Sequence, residues 1–358
     1  MTAAPVMHER LLADFAAGRT PALARAISIV ENHRPGFEQL LATWHPMLGR
    51  ARRIGLTGPP GAGKSTLTTA LARVYRKAGL TVGVVAVDPT SPFTVGALLG
   101  DRIRMEDIAL DPGVYIRSLA TRGSLGGLSA ATRETCDVLD AFGMDRILIE
   151  TVGVGQSELD VARTADTSLV VLVPESGDSI QTLKAGVMEI ADVFTVNKSD
   201  RPGADRLRNE IEIMLGMRGG SAMRNVPAHH GVDLSRNNLV KQVRAAARAE
   251  DADVWTPPVL GTVGVQEQGI DELVEALDRH FRYLERSGTL RQRRRARLRE
   301  RVVEVVEDKA RRRLWNDAAT IAWLEARLPA LESGQDTPFG IADALLSRSA
   351  DLLTRTTT

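Results

Sequence analysis

The feature that most constrains this chain is a glycine-rich octapeptide, Gly-Pro-Pro-Gly-Ala-Gly-Lys-Ser, at residues 58–65. It follows a short β-rich run, Ile54–Thr57, and precedes Leu67–Ala78, where apolar residues recur at helical spacing. A turn of this kind points successive backbone N–H groups at one centre and places the positive end of a helix beside it. The sequence is that of a P-loop, so it predicts a site for nucleotide phosphates.

Individual side chains of this loop have separate expected tasks. Lys64 is expected to reach the β- and γ-phosphates, which makes it a candidate catalytic residue, and Ser65 is expected to offer its hydroxyl to Mg²⁺. The residues predicted to contact the nucleotide here are Gly58, Pro59, Pro60, Gly61, Ala62, Gly63, Lys64, Ser65 and Thr66.

Further β-rich runs alternate with helical stretches along the chain. They are Thr81–Val87, Arg146–Glu150, Thr167–Val173, Val193–Asn197 and Val259–Val263. Near-continuous Val, Ile and Leu are typical of strands buried on both faces of a parallel sheet. The predicted fold class is therefore α/β, a P-loop NTPase with a mostly parallel central sheet flanked by helices.

The two ends of the chain lack strand signals and are predicted to be helical. Residues 1–50 form an N-terminal helical element, residues 51–286 the P-loop domain, and residues 287–358 a C-terminal helical extension. Leu298, Val302, Val306 and Leu314 recur on one face of that extension. Seven arginines within residues 291–301 indicate a solvated helix face, with a contact to RNA, to an acidic partner or within a dimer left open.

A second motif, Asn197–Lys198–Ser199–Asp200, closes a predicted strand and matches the guanine-reading pattern Asn-Lys-x-Asp. A carboxylate at Asp200 accepts two hydrogen bonds from guanine N1–H and its 2-amino group. Adenine offers no such pair of donors, so ATP would leave this charge unpaired. The expected substrate is GTP, with GDP as product, and Asn197, Lys198 and Asp200 are the predicted base contacts.

Acidic residues end two of the predicted strands, where ligands of open α/β sheets bind. Asp88 and Glu150 are candidates for the Mg²⁺ shell, or else solvated carboxylates at strand ends. Glu150–Thr151–Val152–Gly153 resembles the Asp-x-x-Gly switch motif, so Gly153 is expected to offer its N–H to the γ-phosphate. Asp88 and Gln156 are further catalytic candidates, although Gln156 lies beyond the position that usually orients the attacking water.

Composition narrows the range of partners and compartments. A formal net charge of +1 provides no global field for nucleic acid or an anionic membrane, so neither is expected as a partner. The single cysteine, Cys136, forms no intrachain disulfide and is expected to be a buried apolar residue. No apolar run has the length of a membrane span and the N-terminus lacks a signal-peptide core, so a cytoplasmic protein is expected.

Several longer motifs together resemble one known family. They are Ala22–Asn32, Gly58–Thr66, Ala86–Pro92, Arg122–Leu128 and Glu150–Glu158, the last reading Glu-Thr-Val-Gly-Val-Gly-Gln-Ser-Glu. The sequence resembles the methylmalonyl-CoA mutase-associated GTPases, the MeaB or ArgK family, over most of residues 18–275.

The resemblance implies a G-protein chaperone that docks on an adenosylcobalamin-dependent acyl-CoA mutase, gates cofactor loading and protects the enzyme. It also implies a homodimer built partly through C-terminal helices. Carried over to this chain, the Mg²⁺ and switch positions are Ser65, Asp88, Asp101 and Glu150. The base positions are Asn197, Lys198 and Asp200, together with Thr262, Val263 and Gly264.

Two segments depart from the family pattern. The chain has Pro174–Asp178 where a Pro-Gly-x-Gly-Asp loop is usual, and Thr262–Val263–Gly264 where Thr-Ser-Ala is usual beside the base. Backbone contacts to guanine could survive the second change.

Three other functions remain open from the sequence. A nickel- or cobalt-insertion GTPase shares the fold group, but six histidines and one cysteine provide few metal ligands. A kinase linked to basic amino-acid transport would need an acceptor site for the γ-phosphate. A nucleotide-gated binding module with negligible turnover is the third.

Overall fold

The structure is a computed structural model, and it describes residues 3–89, 105–121, 130–151, 161, 163–174, 189–218, 240–241, 243–245, 247 and 254–348. Seven strands in these ranges form one sheet in which every pairing is parallel. The strands are β1 (Arg52–Thr57), β2 (Val82–Pro89), β3 (Val114–Thr121), β4 (Arg146–Thr151), β5 (Thr167–Leu172), β6 (Val193–Asn197) and β7 (Val259–Thr262). Their spatial order is β3-β2-β4-β1-β5-β6-β7. The predicted α/β class is confirmed.

Helices precede, separate and follow these strands along the chain. They are α1 (Ala3–Ala16), α2 (Thr20–Glu31), α3 (Phe37–Trp44), α4 (Lys64–Lys77), α5 (Glu106–Ala109), α6 (Ala130–Phe142), α7 (Ala204–Arg218), α8 (Ile270–Arg286), α9 (Thr289–Trp315), α10 (Ala318–Glu325), α11 (Leu328–Glu332) and α12 (Pro338–Arg348). Short 3₁₀ turns lie at His45–Met47 and Gly264–Gln266. None of these described helices combines the length and the apolar content that crossing a bilayer requires.

The chain divides into two compact units, Met1–Leu290 and Arg291–Thr358. The first contains the sheet. The second contains most of α9 and all of α10, α11 and α12. In this unit Asp317 caps α10 by accepting a 2.8 Å hydrogen bond from the backbone N–H of Thr320, and Ile341 and Leu345 of α12 are buried.

Strand β1 lies at the point where the order of the sheet changes direction. It pairs with β4 on one side and with β5 on the other. From the carboxyl end of β1 the chain runs to β2 on the β4 side, whereas from the neighbouring β5 it runs to β6 on the other side, and this divergence opens a crevice at the carboxyl ends of the strands. The glycine-rich loop follows β1 directly, so it lies in the place where ligands of such sheets bind.

Three apolar clusters of described residues cover the faces of the sheet, and one of them packs α7 against β5, β6 and β7. On one face, α1, α2, α3 and α6 pack together, with Leu23, Ile27 and Trp44 in the same cluster as Leu139 of α6 and Ile149 of β4. On the other face, α4 and α8 pack against β1, β2 and β5. The first three helices therefore contribute to the core of the unit that contains the sheet. Cys136 is buried within it, as expected.

Strand β3 is the one strand of the described sheet that the sequence did not predict. It lies at the edge beside β2, and its central residues from Tyr115 to Ser118 are only partly buried. The run Val-Tyr-Ile-Arg-Ser-Leu therefore includes polar residues and lacks the continuous apolar character of a central strand. Arg117 in this run pairs with Glu31 of α2, a partner that nothing local indicates.

Asp140, near the end of α6, fixes the entry into β1. Its buried carboxylate accepts hydrogen bonds from the backbone N–H groups of Gly49 (2.9 Å), Arg50 (3.1 Å) and Ala51 (2.9 Å), and from the guanidinium of Arg53 (3.1 Å). Removing the carboxylate would take one acceptor from all four donors at once, and the hydrogen bond of Ala51 is buried, where losing an acceptor is costly.

We therefore expect Asp140→Ala to lower the free energy of unfolding by about 3–5 kcal/mol, as for other buried charge pairs that lose one partner. Asp137→Ala is the matched control, because Asp137 contacts the same guanidinium at 2.8 Å but its side chain is 31% exposed. The control should cost no more than about 1 kcal/mol. Urea denaturation of both variants checks this, and equal losses would contradict the assignment of Asp140 as the anchor.

Candidate functional site

The loop between β1 and α4 adopts a conformation that depends on glycine. Gly63 has φ +88°, and a Cβ built on it would lie 2.3 Å from Nδ2 of Asn197. Gly61 also has a positive φ, +75°, but a Cβ there meets nothing within 4 Å. The loop thus approaches a neighbouring side chain closely at Gly63 and faces open space at Gly61.

Lys64 begins α4 and is buried, although its side chain carries a charge. Its ammonium donates hydrogen bonds to the carbonyl oxygens of Gly58 (2.8 Å) and Pro59 (2.9 Å). These contacts hold the ammonium against the loop itself. A cation at this position, together with the N-terminal end of α4, forms a centre that favours anions.

Ser65 and Glu150 form the closest polar contact of the site. The hydroxyl of Ser65 donates to Oε1 of Glu150 at 2.5 Å, and the hydroxyl of Thr68 donates to Oε2 at 3.0 Å. Glu150 is the penultimate residue of β4 and is buried. A hydroxyl and a carboxylate side by side are hard oxygen donors, the kind that Mg²⁺ prefers.

Asn197, the last residue of β6, connects two loops through its side-chain amide. Nδ2 donates to the carbonyl oxygen of Ala62 at 2.8 Å. Oδ1 accepts from the backbone N–H of Gly264 at 3.0 Å and from the hydroxyl of Thr262 at 3.3 Å. The glycine-rich loop and the segment after β7 are therefore held at fixed positions relative to each other.

The segment after β7 closes into a tight turn, the 263–268 turn. Val263 and Gln268 exchange backbone hydrogen bonds of 3.0 and 3.3 Å across it. Thr262, Val263 and Gly264 are buried, and the carbonyl of Thr262 accepts a 3.0 Å hydrogen bond from the backbone N–H of Ser199. The Asn-Lys-Ser-Asp motif and this turn consequently lie together at the carboxyl edge.

Within that motif the backbone bends sharply after the strand. Lys198 has φ +56°, and its carbonyl accepts a 3.0 Å hydrogen bond from the backbone N–H of Arg201. Asp200 is exposed, whereas Asn197 is buried. The bend therefore leaves the Asp200 carboxylate open to a ligand while Asn197 stays engaged with the protein.

Some predicted site residues fall outside the described part of the chain. These are Asp101, Gly153 and Gln156. The backbone of Asp88 lies near the end of β2, opposite Ala120 of β3, but its side chain is not among those described. In the described residues no group of three or more His, Cys, Asp or Glu side chains converges as a metal cluster.

Two residues of the site were not predicted. Thr68 holds the second oxygen of Glu150, and Thr195 hydrogen-bonds Thr262 at 2.9 Å between the hydroxyls. A signal for both was present in the spacing. Thr68 lies three residues after Ser65 on a helix, and Thr195 lies two residues before Asn197 on a strand, so each shares a face with a predicted site residue.

Comparison with known proteins identifies the family to which this chain belongs. The model of the methylmalonyl-CoA mutase-associated GTPase family, MeaB, matches residues 23–319. The chain belongs to this family. It is therefore a P-loop GTPase, and membership implies that it binds GTP and GDP.

Individual relatives agree with the family match. A protein of Pyrococcus horikoshii described as a candidate GTPase is 42% identical over 340 residues, covering 95% of this chain and 98% of its own length. The GTPase ArgK of Escherichia coli is 36% identical over 279 residues, covering 77% of this chain and 76% of its own. A crystal structure of a LAO/AO transport system kinase matches with a TM-score of 0.64 at 25% identity, over 99% of both chains.

The close approach at Gly63 predicts that an alanine there lowers the GDP affinity of this GTPase more than an alanine at Gly61 does. Gly63→Ala should weaken GDP binding by about 100-fold or more, because a left-handed backbone costs about 1–2 kcal/mol and the new methyl also collides with Asn197. Gly61→Ala carries the same backbone cost without the collision, so about tenfold is expected. Calorimetry with GDP compares them, and a larger loss for Gly61→Ala would contradict the geometry.

Proposed function

We propose that this MeaB-family GTPase hydrolyses GTP in a Mg²⁺-dependent reaction and docks on an adenosylcobalamin-dependent acyl-CoA mutase. In that role it gates cofactor loading and protects the mutase. The observation that carries the Mg²⁺-dependent hydrolysis is the part-buried contact of Ser65 with Glu150, because it joins the start of α4 to the strand whose motif continues in sequence to Gly153 and Gln156.

The phosphate end of the nucleotide would lie against the glycine-rich loop. Backbone N–H groups of the loop and the N-terminal end of α4 would bind the phosphate oxygens. The ammonium of Lys64 would exchange its carbonyl partners on Gly58 and Pro59 for the β- and γ-phosphates. Its charge then opposes the negative charge that spreads over the γ-phosphoryl oxygens in the transition state.

The guanine end would lie between the Asn-Lys-Ser-Asp motif and the 263–268 turn. Asp200 is exposed, and its carboxylate would accept hydrogen bonds from guanine N1–H and the 2-amino group. Lys198 and the backbone at Thr262, Val263 and Gly264 would border the ring. Asn197 is already engaged with Ala62 and Gly264, so its part is to hold the two loops in register.

The donor set at the head of α4 fits Mg²⁺. Ser65 and Glu150 would hold the ion directly or through water, and Asp88 and Asp101 are proposed to complete its surroundings. When bound, the ion would neutralise phosphate charge. Thr68 keeps one oxygen of Glu150 engaged, which leaves the other turned toward Ser65.

The proposed partner and assembly have separate support. The family description names association with methylmalonyl-CoA mutase. A mouse relative that is 39% identical over 206 residues is named methylmalonic aciduria type A homolog, mitochondrial. For a homodimer the support is α9, a helix of 27 residues whose Leu298, Val302 and Val306 are exposed.

Asp200 provides a direct test of guanine recognition. Asp200→Asn replaces an acceptor with an amide whose N–H₂ group opposes the donors of guanine. We expect GDP affinity to fall by about 100-fold or more while ADP affinity stays weak, because an unpaired polar group costs a site most of its discrimination. Calorimetry with both nucleotides measures this, and an unchanged preference would remove Asp200 from the base site.

Mutase coupling is tested by GTP turnover with and without methylmalonyl-CoA mutase. Inorganic phosphate is the measured product, since its release distinguishes hydrolysis from transfer to an acceptor by a kinase. We expect the mutase to change turnover and the GTP/GDP affinity ratio by about fivefold or more. Glu150→Gln keeps the size of the side chain but removes its charge, so it should bind GDP yet lose the response.

Lys64→Ala serves as the control without turnover in either condition. A mutase that leaves wild-type turnover and nucleotide affinity unchanged would refute the docking role. Guanine binding, which depends on Asp200, would be unaffected by that outcome.

A further inference from the structure

Arg73 lies on α4 outside the glycine-rich loop and contacts two separate elements. Its Nη1 is 2.7 Å from Oε1 of Glu267, and its Nη2 is 2.5 Å from Oδ2 of Asp107. Glu267 belongs to the 263–268 turn, and Asp107 belongs to α5. One planar guanidinium therefore spans the turn beside the proposed guanine site and a helix that leads into β3.

The contact with Glu267 stabilises a conformation that a glutamate rarely adopts. Glu267 has φ +55° and ends the 3₁₀ turn Gly264–Gln266. Left-handed backbone is unfavourable for a residue with a long side chain, so it persists only where surrounding contacts maintain it. The hydrogen bond from Arg73 lowers the pKa of Glu267 below its usual range, as expected for a carboxylate paired with a guanidinium.

The contact with Asp107 adds a polar link to α5, whose apolar side packs into the core. Met105 and Ile108 are buried in the core cluster that contains Leu67 and Leu71 of α4. Asp107 is on the outer side, with 76% of its side chain exposed. An ion pair this exposed adds little to stability. Its effect is on position, since it ties the outer side of α5 to the same guanidinium that holds the turn.

A second arginine on α4, Arg76, contacts the α5 side of the molecule but not the 263–268 turn, so it allows the two contacts of Arg73 to be distinguished. Arg76 contacts Asp111, just after α5, at 2.9 Å, and its Nη1 donates to the carbonyl of Leu80 at 2.7 Å. Arg76 thus links α4 to the α5 side of the molecule in a way similar to Arg73. Among the described residues its side chain hydrogen-bonds Asp111 and Leu80 and not the 263–268 turn.

We propose that Arg73 is a positioning residue that couples the 263–268 turn to helix α5, so that affinity for guanine nucleotides depends on the position of both. This inference rests on the proposed function, in which the turn borders the guanine ring. Binding free energies are reciprocal, so nucleotide binding also shifts the preferred position of α5.

The experiment is a double-mutant cycle on the full-length chain with GDP affinity as its readout. D107N and E267Q are made singly and together, both with Arg73 present and with R73M. With Arg73 present, the double variant should differ from the product of the single effects by about threefold or more. With R73M the two effects should multiply independently, because the group that joins them is absent.

Single variants distinguish a positioning role of Arg73 from a purely structural one, because a structural role alone would not change GDP affinity and KM selectively. R73M should weaken GDP affinity by about three- to tenfold and raise KM for GTP while kcat stays within about twofold, as for lost uniform binding. R73K should retain one carboxylate contact but lose the coupling, because an ammonium lacks the planar fork. R76M is the matched control and should leave GDP affinity unchanged while lowering thermal stability as much as R73M.

The outcomes separate this inference from the function on which it rests. If the wild-type chain binds GDP selectively, but R73M binds it equally well or the cycle shows no coupling, the inference is wrong and the proposed function stands. If the wild-type chain does not prefer guanine over adenine nucleotides, the proposed base site fails first.

Discussion

The geometry of the site depends on one buried amide, the side chain of Asn197. It donates to the carbonyl of Ala62 in the glycine-rich loop and accepts from the N–H of Gly264 in the 263–268 turn. Removing it would leave both backbone groups without this partner in a buried region, where unsatisfied polar groups are expensive. The two ends proposed to hold the nucleotide are therefore not independent loops. Contacts within the protein itself fix the distance between the two loops, which reduces the ordering that nucleotide binding requires.

The amide of Asn197 can join these two loops because the strand order of the sheet brings them to the same edge. β1 supplies the glycine-rich loop, and β6 and β7 supply Asn197 and the turn, all at the carboxyl edge. Parallel pairing brings the ends of these strands to one edge, although β1 is more than a hundred positions from β6 and β7 in sequence. On the other side of β1, β4 brings Glu150 beside the head of α4. The order of the strands thus distributes phosphate, base and proposed metal groups around one central loop.

Features of the fold and the site could be predicted from the sequence where the residues that define them lie within a few positions of each other. The glycine-rich loop, the Asn-Lys-Ser-Asp motif and six of the seven described strands were predicted, because their residues carry the pattern within a few positions. β3 was missed, because an edge strand with Arg117 and Ser118 lacks continuous apolar character. Asp140 and Arg73 were missed for another reason. Each is an ordinary helix residue in sequence, and its partners are defined only after distant segments pack. The roles of all the predicted site residues in nucleotide binding, metal binding and catalysis stay predictions, and Asp101, Gly153 and Gln156 also lie outside the described residues.

The contacts around α4 differ in burial, and this difference decides which of them can respond to a ligand. The hydrogen bonds of Asn197 are buried and neutral, so breaking them would leave buried polar groups unsatisfied at a large cost in free energy. They therefore hold the two loops at a fixed distance. The pairs of Arg73 with Glu267 and Asp107 are partly exposed, so water and salt can replace them at little cost. Glu150 is intermediate, since it is buried and acidic but held by two hydroxyls, which a cation could replace as partners. A nucleotide-dependent change is therefore expected to rearrange the Glu150 and Arg73 contacts while the Asn197 link is retained.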